Sequence, residues 1–202
     1  MSDRLARAQL ARAAARLKAR ASSSLPALVL MTDDDRLPAA LAAARALPRG
    51  SMVVARARDR TQLERLSAAL LRLARTRGFA VVVAGDPELA SSLGADGIHL
   101  PEARAGEAVY WRARFPSLLI TTSAHSLRAV LRAQSPCIDA VFLSPLFATR
   151  SHPDRASLSP ARANLIVRQV RKPLYALGGV DTRNATLLGG FAGIAAIGAL
   201  AV

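Results

Sequence analysis

The chain has 202 residues, 51% of them apolar, 21% charged and 4% aromatic, and its 28 Lys and Arg against 14 Asp and Glu give a net charge of +14. That apolar content suffices for a packed core and excludes wholesale disorder, while a single cysteine, Cys137, excludes an intramolecular disulfide framework or a multi-cysteine zinc site. The most apolar stretch, Leu187 to Val202, is interrupted by Gly189, Gly190, Gly193 and Gly198 and falls short of the ~20 residues a membrane-spanning helix needs.

The opening segment, residues 1–24, reads as an amphipathic helix ending in a serine-rich joint. Leu10, Ala14 and Leu17 share one face, and Arg12, Arg16 and Arg20 follow an i, i+4 row on another. Its Arg/Ala/Ser-rich composition is also that of a transit peptide, but no apolar secretory core is present, so the cytoplasm is the default location.

From Leu25 onward, short apolar runs alternate with helical patterns. The runs are Ala27–Met31, Met52–Ala55, Ala80–Ala84, Gly97–Leu100, Leu118–Ser123, Ala140–Leu143, Leu174–Leu177 and Ile194–Ile197. They are too continuous for half-exposed strands and too short for helices, as parallel strands covered on both faces require. Between them, Leu63, Leu66, Leu70 and Leu73 form an apolar stripe opposite Arg65, Arg72 and Arg75. Asp86-Pro87, Ser126 and Asp181 stand where helices start, and Pro173 opens a strand. The pattern predicts an α/β fold, a single (β/α)8 TIM barrel over residues 25–202. The chain stops soon after the last run, so the closing helix is truncated or missing, and the extra N-terminal helix is placed to cover the gap. An open, doubly wound sheet is the structural alternative.

In such a barrel the functional site lies at the C-terminal ends of the strands. Gly178-Gly179 after the seventh strand and Ile197-Gly198 at the eighth suit a phosphate cradle, because backbone N–H groups can reach oxygens where no Cβ intervenes. Tight turns would demand the same glycines. Arg56 and Arg58 point the same way at the end of the second strand and can grip one anion. His125 closes the fifth strand, where a histidine can move protons near neutral pH, or can simply be a hydrogen-bonded neighbour of a helix cap. His99 reads as a satisfied core or rim residue. Thr149 and His152 belong to a polar loop, 147–156, long enough to close over a ligand. The basic residues are mostly Arg, scattered, and not interleaved with aromatic side chains, so small phosphate esters are the expected partners rather than a specific nucleic acid or a membrane. The oligomeric state is open at this point, a homo-oligomer included.

Together these residues resemble the thiamine-phosphate synthase/TenI family of (β/α)8 proteins of thiamin biosynthesis. The matching runs, in order, are LMTDD near the start, Arg56-x-Arg58, LGADGIHLPE (93–102), TTSAHS (121–126), FLSPLFATRSHP (142–153) and YALGGV (175–180). The family holds two activities. The synthase joins a pyrimidine pyrophosphate to a thiazole phosphate with Mg²⁺ on the leaving pyrophosphate. The TenI branch aromatises a carboxylated thiazole phosphate tautomer without a metal. This chain departs from the synthase pattern at several places. The glutamine and lysine that flank the first arginine fall on Val54 and Arg58, and the loop lysine falls on His152. The metal-binding Asn-Asp pair falls on Gly85-Asp86, and the second metal aspartate falls on Arg104. Magnesium wants hard oxygen ligands, usually including carboxylates, and a protonated arginine is the opposite.

The resemblance to the TenI branch is strongest at those departures, including Leu100-Pro101 and the histidine of the Ser-x-His-Ser turn, His125. It implies a thiazole tautomerase with no cofactor. On that reading His125 would be the catalytic base, the N–H groups of Gly179 and Gly198 would hold the phosphate, and Arg56 or Arg58 would hold the carboxylate. The alternatives are a divergent synthase or a non-catalytic phosphate-ester-binding protein. In the synthase, Asp86 would remain for Mg²⁺, and Arg56, Arg58, Ser123 and His152 would share the pyrophosphate charge.

Overall fold

The computed structural model describes residues 3–33, 39–148 and 157–200. Eight parallel strands close into a barrel in chain order: β1 (Leu28–Met31), β2 (Met52–Ala55), β3 (Ala80–Ala84), β4 (Gly97–Leu100), β5 (Leu119–Ala124), β6 (Ala140–Leu143), β7 (Leu174–Ala176) and β8 (Gly193–Ala196). The ring shuts where β8 pairs with β1, Val29 opposite Ala195. The expected runs locate every strand to within a residue at each end. They do so because both faces are covered: Val29, Met31, Met52, Val54, Val82, Phe142, Tyr175 and Ala195 fill the interior, while Leu30, Val53, Val81, Val83, Ile98 and Leu100 pack outward.

The interior is built around an aromatic column. Tyr175 stacks on Phe142 with ring centroids 4.8 Å apart, and Phe142 meets His99 edge-on at 5.0 Å. Gly193 makes room for it, since a Cβ there would run into the Ala27 carbonyl and the Tyr175 ring. The buried Tyr175 hydroxyl donates to the Pro26 carbonyl at 2.6 Å.

Outside the barrel lie α1 (Asp3–Ala21), α2 (Ala40–Arg45), α3 (Arg60–Arg77), α4 (Pro87–Leu93), α5 (Ala108–Arg114), α6 (Leu127–Arg132) and α7 (Pro160–Arg168). Their starts are chemically marked. The Asp59, Asp86, Ser126 and Ser159 side chains each accept a backbone N–H of the first turn of α3, α4, α6 and α7. On α3 the stripe is buried at Leu63 and Leu70, with Leu66 and Leu73 half-buried.

Asp181 departs from expectation. Its Oδ1 accepts from the N–H groups of Arg183 and Asn184 as a helix cap would, but only the 3₁₀ turn Ala185–Leu187 follows. Gly189-Gly190 ends the segment before an α-helix can establish itself. The flank this leaves is taken by α1, which packs against β8, β1 and the 3₁₀ turns Ala185–Leu187 and Gly198–Leu200. Leu10, Ala14 and Leu17 are buried there, and Arg12, Arg16 and Arg20 face solvent. No described helix is long and apolar enough to cross a membrane.

Candidate active site

The C-terminal ends of the strands surround a cavity of about 440 Å³ whose lining includes Arg56, Gly85, His99, Glu102, Ser123, His125, Ser144, Gly178 and Ile197. The parity of the parallel strands aims them there, since residues two apart on one strand share a face. Arg56 follows inward Met52 and Val54, and Ser123 follows inward Thr121.

His99 forms the floor. It is buried and held at both nitrogens, Nδ1 by Thr121 Oγ1 and Nε2 by Ser123 Oγ, each at 2.9 Å. Thr121 Oγ1 donates its single proton to the Ile98 carbonyl at 3.1 Å, so it can only accept from Nδ1–H. The bare Nε2 then accepts from the Ser123 hydroxyl. Burial, with the charge of Arg56 second, depresses the His99 pKa from 6.5 to about 3, so the ring is neutral. Ser123 therefore turns lone pairs, not a proton, toward the cavity.

Arg56 is anchored at the end of β2, two strands away in the ring. Its backbone N–H donates to Thr32 Oγ1 at 2.7 Å, the Thr32 hydroxyl returns a bond to the Arg56 carbonyl at 2.8 Å, and the guanidinium lies 3.9 Å from Asp33. Arg58 is exposed two residues further on and does not line the cavity.

His125 stands at the rim, 40% exposed, with its Nδ1 2.7 Å from Glu102 Oε2. The same oxygen accepts the His125 backbone N–H at 2.8 Å, and Arg132 lies 3.3 Å from Oε1. Burial alone would raise the Glu102 carboxyl. The hydrogen bonds from His125 and the charges of His125 and Arg132 outweigh it and hold the group below its ordinary range.

Across the mouth, Gly178 and Gly179 take left-handed φ of 91° and 66°. They also lie against the loop after β6, where a Cβ on Gly178 would come 2.9 Å from Pro145 Cα and one on Gly179 2.6 Å from the Ala148 carbonyl oxygen. Both demands select glycine. Gly178 and Ile197 reach the cavity; Gly179 and Gly198 sit one residue behind them, and Gly198 borders open space. Thr149 and His152 lie outside the described residues.

A divalent cation fits poorly on the β3–β4 side. Arg104 donates Nη1 to the Gly85 carbonyl at 2.7 Å and clasps both oxygens of Glu107, each at 2.7 Å. Glu107, hydrogen-bonded by Arg104 first and by Trp111 Nε1 second, is pulled down to about 2. Asp86 spends Oδ1 on the Leu89 N–H of α4 and Oδ2 on Arg60 Nε at 3.0 Å. Among the described residues, no three His, Cys, Asp or Glu side chains are grouped to hold a metal. The Arg104–Glu107 ion pair stands where the synthase pattern has its second metal aspartate.

Comparison with known proteins gives this barrel a family. The profile described as thiamine monophosphate synthase matches residues 28–200. The chain belongs to that family. The putative thiamine-phosphate synthase 2 of Aquifex aeolicus is 36% identical over 93 residues, covering 46% of this chain and 50% of that protein. The thiamine-phosphate synthase of Parasynechococcus marenigrum is 31% identical over 154 residues, 74% of this chain and 44% of that protein. The chain thus spans about half the length of these two relatives. A thiamine phosphate pyrophosphorylase from Pyrococcus furiosus shares the fold, with a TM-score of 0.72 at 24% identity over 84% of each chain.

Glu102 is the residue that sequence reasoning undervalued. The last residue of the 93–102 run, it is the partner of His125. The two are far apart in sequence but adjacent once β4 and β5 pair, with Leu100 opposite Thr122.

Proposed function

We propose that this member of the thiamine monophosphate synthase family is a metal-independent tautomerase of a carboxylated thiazole phosphate. The observation that carries the reading is Arg104. Its guanidinium lies on the Gly85 carbonyl beside Asp86, where the metal-dependent reaction would need carboxylate oxygen.

In this reading the phosphate lies toward the Gly178-Gly179 turn and Gly198, whose backbone N–H groups supply donors. Ser123, its proton committed to His99, has none to donate to the phosphate. Arg56 holds the carboxylate. His125 removes the proton from the ring carbon bearing the carboxylate; the released electron pair shifts through the ring, and His125 returns the proton to the exocyclic carbon. One C–H bond breaks, another forms, and aromatisation drives the exchange without a net change in protons. A single positioned base contributes roughly 10²–10⁴-fold.

A second reading, a divergent Mg²⁺-dependent synthase, is favoured by the names of the relatives. It would require Asp86 to leave its cap and its pair with Arg60. A third, a non-catalytic binder of phosphate esters, keeps the cradle without the chemistry.

One paired assay separates them. Purified protein is given the unaromatised carboxythiazole phosphate, and separately thiazole phosphate, pyrimidine pyrophosphate and Mg²⁺. Aromatisation above the uncatalysed rate, lost by about 10²-fold or more in His125→Ala while phosphate-ester binding persists, supports the tautomerase. Condensation abolished by Asp86→Ala establishes the synthase instead, and silence in both arms leaves a binding protein.

A further inference from the structure

We infer that Glu102 is the positioning residue of His125, fixing which ring nitrogen carries the proton and which faces the ligand. This rests on the tautomerase reading for its catalytic meaning, but the geometry stands without it.

Glu102 opens the 3₁₀ turn that runs from it to Glu107 after β4, and His125 follows β5. One oxygen, Oε2, accepts both the ring Nδ1 at 2.7 Å and the backbone N–H of His125 at 2.8 Å. The shared oxygen ties the ring to its own main chain, so turning the imidazole away breaks a charge-assisted bond. The other oxygen meets Arg132 of α6 at 3.3 Å, which restrains the carboxylate from swinging out with the ring. A carboxylate can only accept. The neutral His125 ring must then hold its proton on Nδ1, leaving Nε2 bare, and Nε2 is the atom that can take a proton from a ligand. When it does, the imidazolium forms against an anion already in place. A carboxylate plays the same part toward the histidine of hydrolytic triads, where losing the correct tautomer is costly.

The test reads the proton directly. Nitrogen-15 spectra of the imidazole rings distinguish the two neutral tautomers, and the His125 signals are identified by their loss in His125→Asn. At a pH where the ring is neutral, the wild-type protein is expected to show Nδ1–H with a bare Nε2. Glu102→Ala should revert to the Nε2–H form that free histidine prefers. Glu102→Gln should keep Nδ1–H, because its amide oxygen can accept both bonds.

In turnover of carboxythiazole phosphate, Glu102→Ala should lower kcat by roughly 10–10²-fold with little change in KM. Glu102→Gln should recover much of that loss. A wild-type ring protonated on Nε2, or a tautomer indifferent to Glu102→Ala, overturns the inference. An intact tautomer pattern in a wild-type protein inert toward carboxythiazole phosphate overturns the tautomerase reading alone and leaves the positioning supported.

Discussion

A histidine buried at the floor of the barrel mouth opposes folding whenever the solution would protonate it. His99 is depressed from 6.5 to about 3, by burial first and by the charge of Arg56 second. The unfolded chain therefore takes up a proton near pH 6.5 that the folded protein refuses until about 3. Stability is complete above 6.5 and falls as pH drops through that window, by at most about 1.4 kcal/mol per unit. Denaturant titrations at pH 7 and pH 4 should show the loss, and His99→Gln should flatten it; parallel pH slopes in the two proteins would refute the assignment. At this scale the sequence was partly legible. Positions at strand ends flagged Arg56, Ser123 and His125, because barrel geometry sends them to one mouth. The engagements of their polar atoms were not. Nothing in Leu-Pro-Glu-Ala shows that Glu102 reaches across to His125, or that Ser123 spends its proton on His99, since both contacts join neighbouring strands rather than neighbouring residues.

The strands were read well because each is buried on both faces and bounded by a turn or a helix cap. The helices were read less evenly. Asp86-Pro87 and Ser126 start helices, as their chemistry predicts, and Asp181 makes the same local hydrogen bonds without a helix to follow. A cap satisfies the first N–H groups but does not supply the residues needed to propagate a helix. The helix α1 compensates for the missing cover, and its worth resides in the stripe it buries. Leu10 is 1% exposed against the barrel. Leu10→Ala should destabilise the protein by about 2–4 kcal/mol, whereas Arg12→Ala on the solvent face should change little. Thermal unfolding of the two variants measures the difference, and equal melting temperatures would show that α1 contributes nothing to the barrel.

For the molecule as a whole, the net charge of +14 acts on association rather than on fold. Arg12, Arg16 and Arg20 of α1 face solvent, and Arg104 and Arg112 are engaged by Glu107 and Asp139. Binding to single-stranded oligonucleotides is expected to be weak, indifferent to sequence, and to fall with added salt. Fluorescence anisotropy with two scrambled oligonucleotides at two salt concentrations checks this; a sequence preference surviving high salt would point to a dedicated site. The barrel's closure carries a different consequence, one of timing. The stripe of Leu10, Ala14 and Leu17 is synthesised long before the strand it covers, β8, because almost the whole chain separates the two. During translation that stripe has only β1 of its native partners, the β8 and 3₁₀-turn contacts coming last, and the β1 edge has no neighbour on its β8 side. Ring closure and helix docking must therefore come together as a late event, and the nascent chain should present its first helix to chaperones until β8 has emerged from the ribosome.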